Sequence, residues 1–124
     1  MTKEALTDLQ LALMKALWSI GEGTVSDVLD ALAKDGRTLA PTTVATLLQR
    51  LYKQGWVATR KSGRLLIYRA QVDQQTAASG ALRRVLGAFF GGSISAAAAQ
   101  LMAAEELTPE ELAQMRGLVA KKRG

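Results

Sequence analysis

Cysteine is absent from the 124 residues, and so is histidine. The first absence excludes disulfides, thiolate metal sites and cysteine nucleophiles, and it fits a reducing cytoplasm. The second removes the commonest general base and the commonest metal ligand. Catalysis would have to rest on carboxylates, Lys, Ser or Thr, so an enzyme is the least favoured reading and no cofactor or metal is expected. Proline occurs only as Pro41 and Pro109. Each stands where a helix would begin, the helical position that tolerates it best. The N-terminus, Met1-Thr2-Lys3-Glu4, carries acid early and lacks the charged-then-apolar order of a signal peptide. Charge is missing from Val85 to Ala104, which invites comparison with a membrane span. Glycine, serine and glutamine interrupt that stretch, and Gly91-Gly92 reads as a helix break rather than a groove in lipid. A soluble cytoplasmic protein without membrane insertion is expected.

Acid is missing where base collects. Between residues 36 and 72 stand seven cations, Arg37, Arg50, Lys53, Arg60, Lys61, Arg64 and Arg69, with no Asp or Glu among them. The whole chain has a net charge of +5. A segregated basic strip is the footprint of a polyanion binder, although a solvated face with chance charge imbalance has the same composition.

The hydrophobic pattern orders the elements. Thr7 with Gln10 has the spacing of a capping box, and Leu6 with Leu11 that of a hydrophobic staple. Leu9, Leu13, Leu17 and Ile20 follow at helical spacing until Gly21-Glu22-Gly23. A second helix opens at Thr24 or Ser26, carries Val28, Leu29 and Leu32, and ends at Asp35-Gly36. A third opens at Pro41, places Val44, Leu47, Leu48 and Leu51 on one face, and closes at Gly55. The period then changes. Val57 to Lys61 and Leu65 to Arg69, around Ser62-Gly63, read as a β-hairpin. Trp18 and Trp56 read as core, and Tyr68 as packed beneath the hairpin. Three helices followed by a basic hairpin is the order of a winged helix-turn-helix, here assigned to residues 1–72.

Residues 73–124 read as helical, so the chain is mainly α with a small β-hairpin. Leu82, Leu86, Phe89 and Phe90 precede the Gly91-Gly92 break, and an Ala-rich run with Leu101 follows it. A last helix opens at Thr108-Pro109-Glu110-Glu111 and carries Leu112, Met115 and Val119. Three short helices bury little apolar surface alone. The same segment of a second copy is the simplest cover, and packing back onto the N-terminal domain is the alternative. The eight apolar residues just named are therefore the candidate dimer contacts.

With its apolar face inward, the third helix turns Thr42, Thr46, Gln49 and Lys53 outward, flanked by Thr43 and Arg50. These hydroxyls, amide and cations carry no carboxylate to repel phosphate. Thr42, Thr43 and Thr46, near the helix N-terminus, are placed for base edges, with Gln49 beside them. Arg50 and Lys53 suit phosphates, as do Arg60, Lys61 and Arg64 around the hairpin turn. The bland alternative is ordinary polar surface.

Leu6-Thr7-x-x-Gln10-x-x-x-Met14-x-x-Leu17-Trp18, then Thr42-Thr43-Val44-x-Thr46-Leu47-Leu48-x-Arg50-Leu51, Gly55 and Lys61-x-Gly63-Arg64 resemble the penicillinase-repressor family of the BlaI/MecI type. Tyr68, Phe90-Gly91-Gly92 and Glu105-Glu106-Leu107 extend the likeness over nearly the whole chain. The resemblance implies a homodimer joined by its C-terminal helices, with each winged helix on one half of a palindromic operator in double-stranded DNA, blocking transcription. It further implies a sensor-linked protease that cuts the C-terminal domain, here near Gln100-Leu101. Family members are cut at an Asn-Phe pair, whereas this chain reads Ala97-Ala98-Ala99-Gln100-Leu101. The cysteine cluster of the copper-responsive branch is missing. Thr42 and Ala45 stand where some members carry Lys and Arg, so no operator sequence carries over. The alternative function is a winged-helix protein-interaction module without DNA binding. A short basic stretch, Leu82-Arg83-Arg84-Val85-Leu86, is the sole candidate for membrane-surface contact.

Overall fold

Helix starts are set by side chains that take over the orphan backbone N–H groups of a first turn. In the computed structural model, which describes residues 5–103 and 107–123 and only the backbone of 118–123, Thr7 caps α1 (Asp8–Ile20) in the expected capping box with Gln10. Thr24 rather than Ser26 caps α2 (Val25–Lys34), in a second box with Asp27. Pro41 is the first residue of α3 (Pro41–Lys53), and Pro109 of α6 (Pro109–Arg123). Thr108 and Glu111 form the box predicted for α6. Replacing Thr7 with Ala should lower stability by about 1 kcal/mol, read as a shifted urea midpoint at unchanged slope.

Two of the helix ends closed by glycine share one hydrogen-bond pattern. Gly36 has φ +85°, and the N–H groups of Arg37 and Gly36 donate to the carbonyls of Leu32 and Ala33. Gly55 has φ +84°, and Trp56 and Gly55 donate to Leu51 and Tyr52 in the same pattern. Both are Schellman ends, which need a left-handed residue after the last turn. The second drops Trp56 onto the core beside Leu51 and starts the next strand in a defined direction.

That strand, β2 (Val57–Ser62), pairs antiparallel with β3 (Leu65–Ala70), each one residue longer than expected. Ser62 faces Leu65, so the turn residues are Gly63, at φ +63°, and Arg64. The sequence pattern missed β1 (Glu22–Gly23), which pairs with β3 at Arg69 and Tyr68 and makes a sheet of order β1-β3-β2. A two-residue strand is too short to show period-two alternation. Gly23 is required there for space, because a Cβ would sit 2.7 Å from the Cβ of Asp27.

The core lies among α1, α2, α3 and the sheet: Leu13, Met14 and Leu17, Val28 and Leu32, Val44, Leu48 and Leu51, then Trp56, Val57 and Tyr68. Trp18 packs against it and donates Nε1–H to the Val72 carbonyl at 2.9 Å. Ile20, the last apolar residue in the helical spacing of α1, is 39% exposed. Gln10 does more than cap. It is buried, and its amide donates to the Gln54 side chain, tying α1 to the end of α3.

The chain divides into two compact units, Met1–Ser79 and Gly80–Gly124. Asp73 caps α4 (Gln74–Phe90), whose early residue Ala77 packs on the N-terminal core. Helix α4 stops at Gly91-Gly92, both at positive φ, and α5 (Ile94–Ala103) leaves at an 82° bend. No single helix among the described residues is long and apolar enough to cross a membrane. Within α4 and α5 no described side chain is buried. Phe89 is 78% and Leu82 60% exposed, and Val85, Ile94, Leu101 and Met102 are exposed too. Leu86, Phe90, Leu112 and Met115 are half-buried, whereas the side chain of Val119, like Glu105 and Glu106, lies outside the described residues.

Candidate nucleic-acid interface

Helix α3 buries Val44, Leu48 and Leu51 and leaves Thr42, Thr43, Thr46, Gln49, Arg50 and Lys53 exposed. All six stand on the face assigned to them from helical spacing. Tyr52, which the spacing argument left unassigned, is also exposed, at 49%. Two of the six have local partners that narrow their chemistry. The Thr46 hydroxyl donates to the Thr42 carbonyl at 2.9 Å. Its proton is thereby engaged, which leaves lone pairs and a methyl group, suited to an amino group or a thymine methyl. The Gln49 amide donates Nε2–H to the Tyr68 hydroxyl at 2.9 Å. Tyr68 is buried, as expected, yet its polar tip reaches the helix.

Strand alternation sorts the hairpin cations. Lys61 shares a face with Val57, Thr59, Leu66 and Tyr68, the last of which touches α3, whereas Arg60 lies on the opposite face with Arg69. Arg64 occupies the turn, exposed. The strip read as free of acid does not stay so in three dimensions. Glu22 on β1 reaches across β3, and Arg60 donates Nη2–H at 2.6 Å and Nε–H at 3.3 Å to its two carboxylate oxygens. The Arg60 hydrogen bond, then the charges of Arg60 and Arg69, hold the Glu22 carboxyl below its ordinary pKa. The folded pKa being depressed, this contribution is present above the unfolded carboxylate value and lost as acid titrates through the lower one. The pair is exposed, so its worth for stability is small.

Arg37 also leaves the strip, lining a groove with Asp8 and Asp35. A second groove, of about 420 Å³, is lined by Ile20, Glu22, Asp27, Asp30, Lys34 and Asp35 among others. Carboxylates thus gather along α1 and α2. Four cations, Arg50, Lys53, Lys61 and Arg64, are exposed and make no ion pair among the described residues. These four, the threonines and Gln49 are all exposed on α3 and the wing, which the Gln49–Tyr68 hydrogen bond joins. Among the described residues no group of three or more acidic side chains is placed to hold a metal ion.

The family model described as penicillinase repressor matches residues 6–121. The chain belongs to the penicillinase repressor family. The penicillinase repressor of Bacillus licheniformis is 26% identical over 110 residues, which span 89% of this chain and 85% of that one. The solution structure of the DNA-binding domain of the repressor BlaI is 31% identical, with TM-score 0.52, covering 61% of this chain and 93% of that chain. The solution structure of monomeric B. licheniformis BlaI in complex with the blaP half-operator is also 31% identical, with TM-score 0.51 and the same shares covered. The fold is therefore a winged helix, mainly helical with a small antiparallel sheet, and the family is one of DNA-binding repressors. The family motif Lys61-x-Gly63-Arg64 is the wing turn, and the Thr-rich motif opens α3.

Proposed function

We propose that the protein is a homodimeric, sequence-specific repressor that binds a palindromic operator in double-stranded DNA. Residues 1–72 form the DNA-binding domain and 73–124 the dimerising one. Thr42, Thr43, Thr46 and Gln49 read base edges, while Arg50, Lys53, Lys61 and Arg64 hold phosphates. The observation that carries this reading is the joint exposure of those eight side chains on α3 and the wing. The half-operator complex of a monomeric, 31% identical relative supports its DNA-binding part. Arg60, assigned to phosphate from the sequence, has a smaller part here because Glu22 already holds it.

The test is a pair of substitutions. Arg64→Ala should weaken all duplexes alike and reduce the magnitude of the log K against log salt slope by about 0.9 per protomer. Arg60→Ala should leave that slope nearly unchanged. Equal loss in both would mean that Arg60 exchanges Glu22 for phosphate. No duplex binding by the wild type at low ionic strength would sink the repressor reading and favour a protein-interaction module.

Dimerisation through Leu82, Leu86, Phe89, Phe90, Leu101, Leu112, Met115 and Val119 rests on the exposure of Leu82, Phe89 and Leu101 in a single chain. Apolar side chains this exposed in neighbouring helices ask for cover. Release by a sensor-linked protease at Gln100-Leu101 is a further part of the reading. Both residues are exposed on α5, and because they lie inside a helix, cleavage requires that helix to open locally.

A further inference from the structure

The hydrogen bond between Gln49 and Tyr68 joins an exposed residue of α3 to a buried residue of the wing. We infer that Tyr68 is a positioning residue that makes Gln49 a reader of adenine, on the reading that α3 lies in a DNA major groove. Tyr68 is 2% exposed and belongs to the core cluster, so its hydroxyl is a fixed point. Gln49 Nε2 sits 2.9 Å from it. That contact uses one of the two amide protons. The second proton and the carbonyl oxygen remain, a donor beside an acceptor at the end of a side chain already held in place.

Adenine offers the complementary pair in the major groove, the N7 acceptor beside the N6 amino donor. Guanine offers two acceptors, N7 and O6, and would set one of them against the amide oxygen. The stripe Thr42, Thr46, Gln49, Lys53 along α3 puts the amide one turn beyond the threonines, between groups suited to bases and a cation suited to phosphate. Ordering a long side chain opposes binding, and the Tyr68 tether removes part of that cost before DNA arrives. Without the hydroxyl, the same amide would be free to rotate and would discriminate less.

The experiment is selection of bound duplexes from a randomised pool by the full-length protein, followed by anisotropy titrations of the best duplex and its single-base variants. Wild type should select an A·T pair at one position of each half-site. Gln49→Ala should reduce discrimination there by about fivefold to a hundredfold. Tyr68→Phe keeps the ring in the core and should reduce it by about three- to tenfold. Its melting temperature and its salt slope on random-sequence DNA should match wild type. Gln49→Glu, at an exposed position that does not threaten the fold, should move the preference from adenine to cytosine, whose N4 amino group donates to a carboxylate. A Tyr68→Phe protein with undiminished adenine preference, or one that loses affinity equally for every sequence, overturns the positioning role. Salt-dependent duplex binding by wild type without an adenine column overturns this inference alone. Absence of duplex binding at low salt overturns it together with the DNA-binding reading.

Discussion

Raising monovalent salt from about 50 to 200 mM is expected to weaken duplex binding by roughly 10³–10⁵-fold. Each protomer presents Arg50, Lys53, Lys61 and Arg64 without an intramolecular ion pair among the described residues. A dimer brings twice that number. Each phosphate neutralised by one of these side chains releases condensed counterions, and the release grows less favourable as bulk salt rises. Eight contacts correspond to a log–log slope of about −7. A slope of about −4 would mean that only one wing and helix engage the duplex. A slope near zero would remove the polyanion reading, because a protein-binding winged helix has no counterions to release. The overall charge of +5 does not set this number. Only cations that reach phosphate count, which is why Arg37 and Arg60, each beside carboxylates, and Arg69, whose charge acts on Glu22, are left out of it.

The second large effect is expected from truncation. A chain ending at Phe90 keeps the whole N-terminal core, from Leu6 to Ala77, and should remain folded. It loses α5 and α6 and with them half of the eight proposed dimer contacts, Leu101, Leu112, Met115 and Val119, leaving those of α4 without the helices that would flank them. Sedimentation should show a monomer, and affinity for a full palindrome should fall about 10²–10⁴-fold towards that for a half-site. In the full chain the second half-site is met at the high effective concentration that linkage confers. Half-site affinity itself should change little. A truncated protein that still sediments as a dimer would confine the dimer contact to α4 or move it to the N-terminal unit, and remove α5 and α6 from it. The solved half-operator complex of a monomeric relative makes the comparison practical.

Much of the local structure was legible in the residues. The caps at Thr7 and Thr108, the first-turn prolines and the glycine stops at Gly36 and Gly55 are local devices, and each acts within one turn of its own position. The face of α3 follows from the 3.6-residue period, so its exposed set could be named without coordinates. What escaped were contacts between residues distant along the chain. Glu22 and Arg60 are separated by 38 residues, and Gln49 and Tyr68 by 19. No periodicity encodes such pairs. Gln10 was read as a capping residue because that role is local, and its bond to Gln54 appears only when α1 and α3 are packed.

The amino-acid order alone determined the succession of helices and hairpin, the glycine break before α5 and the identity of the polar face of α3. Those properties depend on backbone preferences and on the repeat of apolar side chains over a few residues. Tertiary structure decided which charges survive to meet a polyanion and which polar groups are held still. Electrostatics and hydrogen bonding act through space, and a carboxylate carried in on β1 cancels a cation of the wing however far apart the two stand in the chain.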